Sequence, residues 1–148
     1  MWRIHVLNGP NLNLLGEREP GVYGSQSIRD LFRRLRAKAA SLNCSLSFFQ
    51  SNHEGEIIDY LHDHRVEMDG LIINPGGLTH TSVALRDAVA AVARPAVEVH
   101  ISDISKRETF RRHSYIRDVC IEQLSGLGID GYELALEKLV GYLKQQNS

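Results

Sequence analysis

The 148-residue chain sets 17 Lys and Arg against 18 Asp and Glu, a formal net charge of −1, which excludes the clustered basic excess that nucleic acid or an anionic membrane demands. Hydrophobic residues at 43% and charged residues at 24% supply a packed core for one domain and argue against a disordered chain. No apolar run approaches the ~20 residues that span a bilayer, and the first residues contain no cleavable apolar stretch, so a cytoplasmic, unexported protein is expected. Cys44 and Cys120 stand 76 residues apart without metal-ligand spacing, which reads as a pair of reduced thiols.

Residues 3–7 (RIHVL) are strand-like and run into a turn cluster, Asn8-Gly9-Pro10-Asn11. From Ile28 onward Leu31, Phe32, Leu35, Ala39 and Leu42 recur at three- and four-residue steps, predicting a helix with Ser27 as its N-cap. Residues 45–51 form a second strand, and 54–66 a helix with Ile57, Ile58 and Leu61 on one face. Residues 70–74 (GLIIN) are nearly all apolar, the pattern of a strand buried on both faces of a parallel sheet. Pro75-Gly76-Gly77 end that strand, and Thr81 or Ser82 caps a helix running to Val92. Pro95 breaks the chain before a fourth strand at 96–101; a fifth is expected at 118–123. Gly126 and Gly128 then precede a last helix with Leu136, Leu139, Val140 and Leu143 on one stripe. No repeat or linker interrupts the alternation, which predicts a single α/β domain over 1–148, a parallel sheet with helices on both faces. Ligands in such sheets bind beyond the carboxyl ends of the strands, near the reversal in strand order.

Those ends carry the chemistry. The loop after the first strand runs about 18 residues, against roughly two to six for an ordinary connection, and holds Arg18 and Tyr23. Asn74, His80 and Ser82 follow the third strand, and Glu98 and His100, two apart on the fourth, share a face. Lys106, Arg107, Arg111, Arg112 and His113 form a basic stretch suited to a small anion. Each has a plainer reading: a loop tyrosine can pack, a strand-end histidine can be structural, Asn-Pro-Gly-Gly is turn chemistry, and the basic run can be a solvated helix face. Neither GxGxxG nor GxxxxGK[ST] is present, and His62 and His64, two apart on a helix, do not face one another as metal ligands would. Convergence of a phenol, a cation, an imidazole and a carboxamide on one sheet edge favours the functional reading.

The segments NGPNLNLLGEREPGVYG (8–24), QSNHEGEIID (50–59), INPGGLTHTSVALRDA (73–88), VEVHISD (97–103), RETFRRHSY (107–115) and GLGIDGYELALEKL (126–139) closely resemble type II 3-dehydroquinate dehydratase, in that family's order and over nearly the whole chain. The resemblance implies a flavodoxin-like five-stranded parallel sheet and a metal-free, cofactor-free anti elimination of water from 3-dehydroquinate through an enol or enolate. It implies Tyr23 as the base on a lid at about 17–25, Arg18 as its charge partner, His100 as the general acid, and Asn11 as a stabiliser of the enolate through a water. It further implies substrate binding by Asn74, His80, Ile101, Ser102 and Arg111, and a reach by Asp87 into a neighbouring subunit's site within trimers grouped as a dodecamer. A phenol with an ordinary pKa near 10 is a poor base at pH 7, and a nearby guanidinium favours its anion. Glu98 is expected to steady His100 or the lid. The chain departs from the pattern at Gly77-Leu78, which would alter the pocket wall, and at Asp103, Ser105 and Lys106 beside the basic loop. The alternatives are a non-catalytic flavodoxin-like module for a small anion or nucleotide, and a metal-assisted hydrolase using His80 and His100.

Overall fold

The apolar run at 70–74 becomes the central strand. In the computed structural model, which describes residues 1–147, five parallel strands lie in the order β2-β1-β3-β4-β5: β1 (Trp2–Asn8), β2 (Cys44–Gln50), β3 (Gly70–Asn74), β4 (Ala96–His100) and β5 (Glu122–Ser125). This is the flavodoxin-like topology, with order reversing between β1 and β3. The helices are α1 (Ile28–Ser41), α2 (Glu54–His64), α3 (Val83–Val92) and α4 (Asp130–Gln146). None is long and apolar enough to cross a membrane among the described residues.

Strand alternation sorts the core into two layers. Ile4, Val6, Ile72, Val97 and Val99 point to the α1/α4 side, where they meet Leu31, Leu35, Leu136 and Leu139. Leu7, Leu71, Ile73 and Ala96 point the other way, against Ile57 and Leu61 of α2 and Leu85 and Val89 of α3. The expected caps form: Ser27 Oγ accepts from Asp30 N–H at 3.1 Å while Asp30 accepts from Ser27 N–H at 3.0 Å, and Ser82 Oγ accepts from Leu85 N–H at 2.8 Å.

Strand five lies later than expected. Residues 117–119 are a tight helical turn, because Ser114 Oγ accepts from both Ile116 and Arg117 N–H groups at 3.1 Å. The chain rejoins the sheet only when Ile121 N–H reaches Ala96 O. The basic stretch is likewise no helix face; it folds as two short turns, Ile104–Lys106 and Thr109–Arg111.

The register Asn8↔Gln50 and Asn8↔Asn74 levels three strand ends and brings the loops after β1 and β3 into contact. Their crossing requires glycine, since a Cβ on Gly9 would sit 2.3 Å from Pro75 O. Beneath it, fully buried Tyr132 of α4 donates to Asn8 Oδ1 at 2.6 Å and accepts from Asn74 Nδ2 at 2.9 Å.

The α2 side also buries His5, whose Nδ1 lies 2.7 Å from Tyr60 Oη. Burial and then Glu67 push the Tyr60 phenol up to about 12, so it donates and His5 accepts. Burial first, then the charges of His64 and Arg3, hold His5 below the ordinary imidazole range against the pull of Glu67. The unfolded chain therefore protonates this residue first, and stability should decline as pH falls through about 6.5. Urea midpoints are expected to drop between pH 7.5 and 5.5. His5→Phe, though less stable overall, should keep only the part of that slope due to His80, which burial also holds low.

Candidate active site

A cavity opens where β1, β3 and β4 end. Asn11 after β1, Asn74 at the end of β3 with Gly76 and His80 beyond it, and His100 at the end of β4 with Ile101 and Ser102 beyond it line it, with Arg18, Tyr23, Arg107 and Arg111 over the top. Nine of the ten expected site residues thus share one cavity. The tenth, Asp87, lies on the exposed face of α3 and does not line it.

Tyr23 closes a single helical turn, Pro20–Tyr23, in the long loop. Two cations lie against its ring, the Arg18 guanidinium 4.6 Å and the Arg107 guanidinium 5.5 Å from the ring centre. Arg107 Nη1 also donates to Tyr23 Oη at 3.3 Å and to Ser102 Oγ at 2.9 Å. Composition alone does not single out Arg107: it stands in a run of basic residues, and only the turn at Ile104–Lys106 aims it inward. Arg111 lines the cavity while paired with Glu108 at 3.0 Å.

His100 and Glu98 do share a face, and His100 Nε2 is hydrogen-bonded to Glu98 Oε2 in the buried interior. Burial alone would raise the Glu98 carboxyl, but bonds from His100, Gln123 (3.0 Å) and Ser114 (2.8 Å) outweigh it and hold it below the usual carboxylate range. An ionised Glu98 accepts from Nε2–H, so Nδ1 is the ring atom left to face a ligand. His80 is set differently. Its Nδ1 donates to His113 O at 2.7 Å, and burial lowers its pKa more than that bond raises it. A neutral His80 therefore offers Nε2 as an acceptor. The two imidazoles stand 6.5 Å apart, and among the described residues no group of three His, Cys, Asp or Glu is placed to hold a metal.

The departures from the family pattern resolve locally. Gly77 lines the cavity, whereas Leu78 packs into the α2/α3 core instead of forming pocket wall. Asp103 caps the turn that follows, accepting from Ser105 N–H at 3.0 Å and from its hydroxyl at 2.6 Å.

The family model described as dehydroquinase class II matches residues 2–140. The chain is 54% identical over 145 residues to the 3-dehydroquinate dehydratase of Halothermothrix orenii, covering 98% of each. To the catabolic 3-dehydroquinase of Verticillium alfalfae it is 50% identical over 145 residues, covering 98% of this chain and 97% of that one. The crystal structure of the type II dehydroquinase from Butyrivibrio crossotus matches with a TM-score of 0.91 at 43% identity, over 93% of this chain and 97% of that one. Agreement along nearly the full length, in sequence and in fold, makes this chain a member of the class II dehydroquinase family.

Proposed function

We propose that the chain is a hydro-lyase that converts 3-dehydroquinate to 3-dehydroshikimate by anti elimination of water, in the shikimate route to chorismate and the aromatic amino acids. The observation that carries the reading is the phenol oxygen of Tyr23, held by Arg107, in the same cavity as the carboxylate-anchored His100.

Tyr23 as phenolate takes the proton next to the substrate carbonyl, with Arg18 and Arg107 stabilising its negative charge. The electron pair moves into the enolate, whose oxygen Asn11 stabilises through a water. His100 then gives its Nδ1 proton to the departing hydroxyl, which leaves as water while the enolate collapses to the enone. Lid and strand thus supply base and acid from different walls, as an anti elimination needs. Ser102, already accepting from Arg107, keeps its own hydroxyl proton for the substrate carboxylate, joined by the backbone N–H groups of Ile101 and Ser102. Asn74, His80 and Arg111 bind the remaining polar groups. Residues 17–25 close over substrate and exclude water. No metal or organic cofactor enters these steps.

Asp87, exposed on α3, reaches a neighbouring copy's site, so the working unit is a trimer and trimers group as a dodecamer. Free thiols at Cys44 and Cys120 suit a reducing cytoplasm. A nucleotide module would instead present a short glycine-rich loop at a helix N-terminus.

The conjugated enone absorbs in the ultraviolet, which gives the test. Chelator-treated protein mixed with 3-dehydroquinate is expected to produce a rise in absorbance at the untreated rate, and size exclusion of the same sample a multiple of three chains. An assembled protein that gives no rise would overturn the lyase reading in favour of a binding module, and a rise abolished by chelator would favour a metal-assisted reaction.

A further inference from the structure

Asn11 has a backbone that its own side chain does not explain. It is left-handed, at φ 71° and ψ −4°, and no side-chain cap bond holds it there. Left-handed geometry is disfavoured for residues other than glycine, Asn being among the more tolerant. Proline at position 10 has no N–H, so the segment 9–11 has two backbone donors. Gly9 N–H goes to Asn74 O at 2.8 Å. Asn11 N–H goes to the side chain of Asn52, just beyond β2, whose Oδ1 accepts it at 2.9 Å. Gln50 fixes that oxygen from behind, since its Nε2 lies 3.2 Å from both Asn52 Oδ1 and Gly9 O. The result is a brace from the end of β2 to the two residues flanking Pro10.

We infer that Asn52 is a positioning residue, which holds Asn11 in the left-handed conformation that aims its carboxamide into the cavity. The inference rests on the role given above to Asn11. The brace comes from an exposed loop residue outside the two buried layers, so it contributes to the pose of one side chain more than to the stability of the fold. Loss of a single hydrogen bond of this kind is worth about a tenfold change, and it should act on the enolate and leave ground-state binding alone.

Asn52→Ala is therefore expected to lower kcat by about tenfold with KM within about twofold and thermal stability nearly unchanged. Asn52→Asp keeps an acceptor oxygen for both Asn11 N–H and Gln50 Nε2 and should restore most of kcat. In an Asn11→Ala background, adding Asn52→Ala should lower kcat no further. A wild-type kcat in Asn52→Ala beside an impaired Asn11→Ala overturns the inference while sparing the reading of Asn11. Additive losses in the double variant overturn it as well. A wild-type kcat in Asn11→Ala overturns the role of Asn11, and the inference with it.

Discussion

Tyr23→Phe is expected to lower kcat by about 10²–10⁴-fold while KM stays within about threefold. The substitution removes one oxygen and keeps the ring, so the stacking of Arg18 at 4.6 Å and Arg107 at 5.5 Å can persist. What is lost is the proton acceptor and the hydrogen bond it takes from Arg107, which keeps its bond to Ser102. Steady-state kinetics by enone absorbance, with ligand binding measured separately by calorimetry, distinguish a dead base from a damaged pocket. Turnover near the wild-type rate would remove Tyr23 from the role of base. Arg107→Ala makes a useful companion, because this cation touches both the phenol and Ser102 and its loss should raise KM as well as lower kcat.

His100→Ala is the second large effect, again about 10²–10⁴-fold on kcat. Hydroxide is a poor leaving group, and no other imidazole in the cavity can replace the lost acid: His80 is neutral, with its Nδ1 proton committed to His113 O. Glu98→Gln should cost less, since an amide oxygen can still accept from Nε2 and keep the ring oriented. A Glu98→Gln variant with wild-type kcat would mean that the charge of Glu98 is not used in turnover. A His100→Ala variant with near-normal turnover would assign the acid elsewhere.

Local pattern made much of this legible in the sequence, and its failures share a cause. The nearly all-apolar 70–74 run, the Ser27 cap and the two-residue spacing of Glu98 and His100 depend on a few neighbouring residues, and each appears in the structure as expected. Strand five lies later than the pattern predicts because the Ser114 hydroxyl holds 117–119 in a turn, so the apolar run 119–121 that looks strand-like comes before the strand. Arg107 could not be told from Arg111 within the basic run, since which one reaches Tyr23 depends on a chain reversal at 104–106. Leu78 is expected at the pocket wall because Gly77-Leu78 departs as a pair from the family pattern, yet the tight turn at Gly76–His80 leaves Gly77 against the cavity and sends the Leu78 side chain into the α2/α3 core. Asn52 and Tyr132 act across long sequence separations, 41 residues for Asn52 to Asn11 and 124 for Tyr132 to Asn8. No periodicity records such partnerships.

The buried phenol of Tyr132 also bears on the order in which the chain is made. Asn8 and Asn74 emerge from the ribosome well before residue 132, and until then the carboxamides that will share that hydroxyl have no such partner between them. A nascent chain can therefore pair β1, β2 and β3 while the floor of its pocket is still unfinished. The last helix does more than cover the sheet: its arrival ties the end of β1 to the end of β3, from which Asn74 faces the cavity.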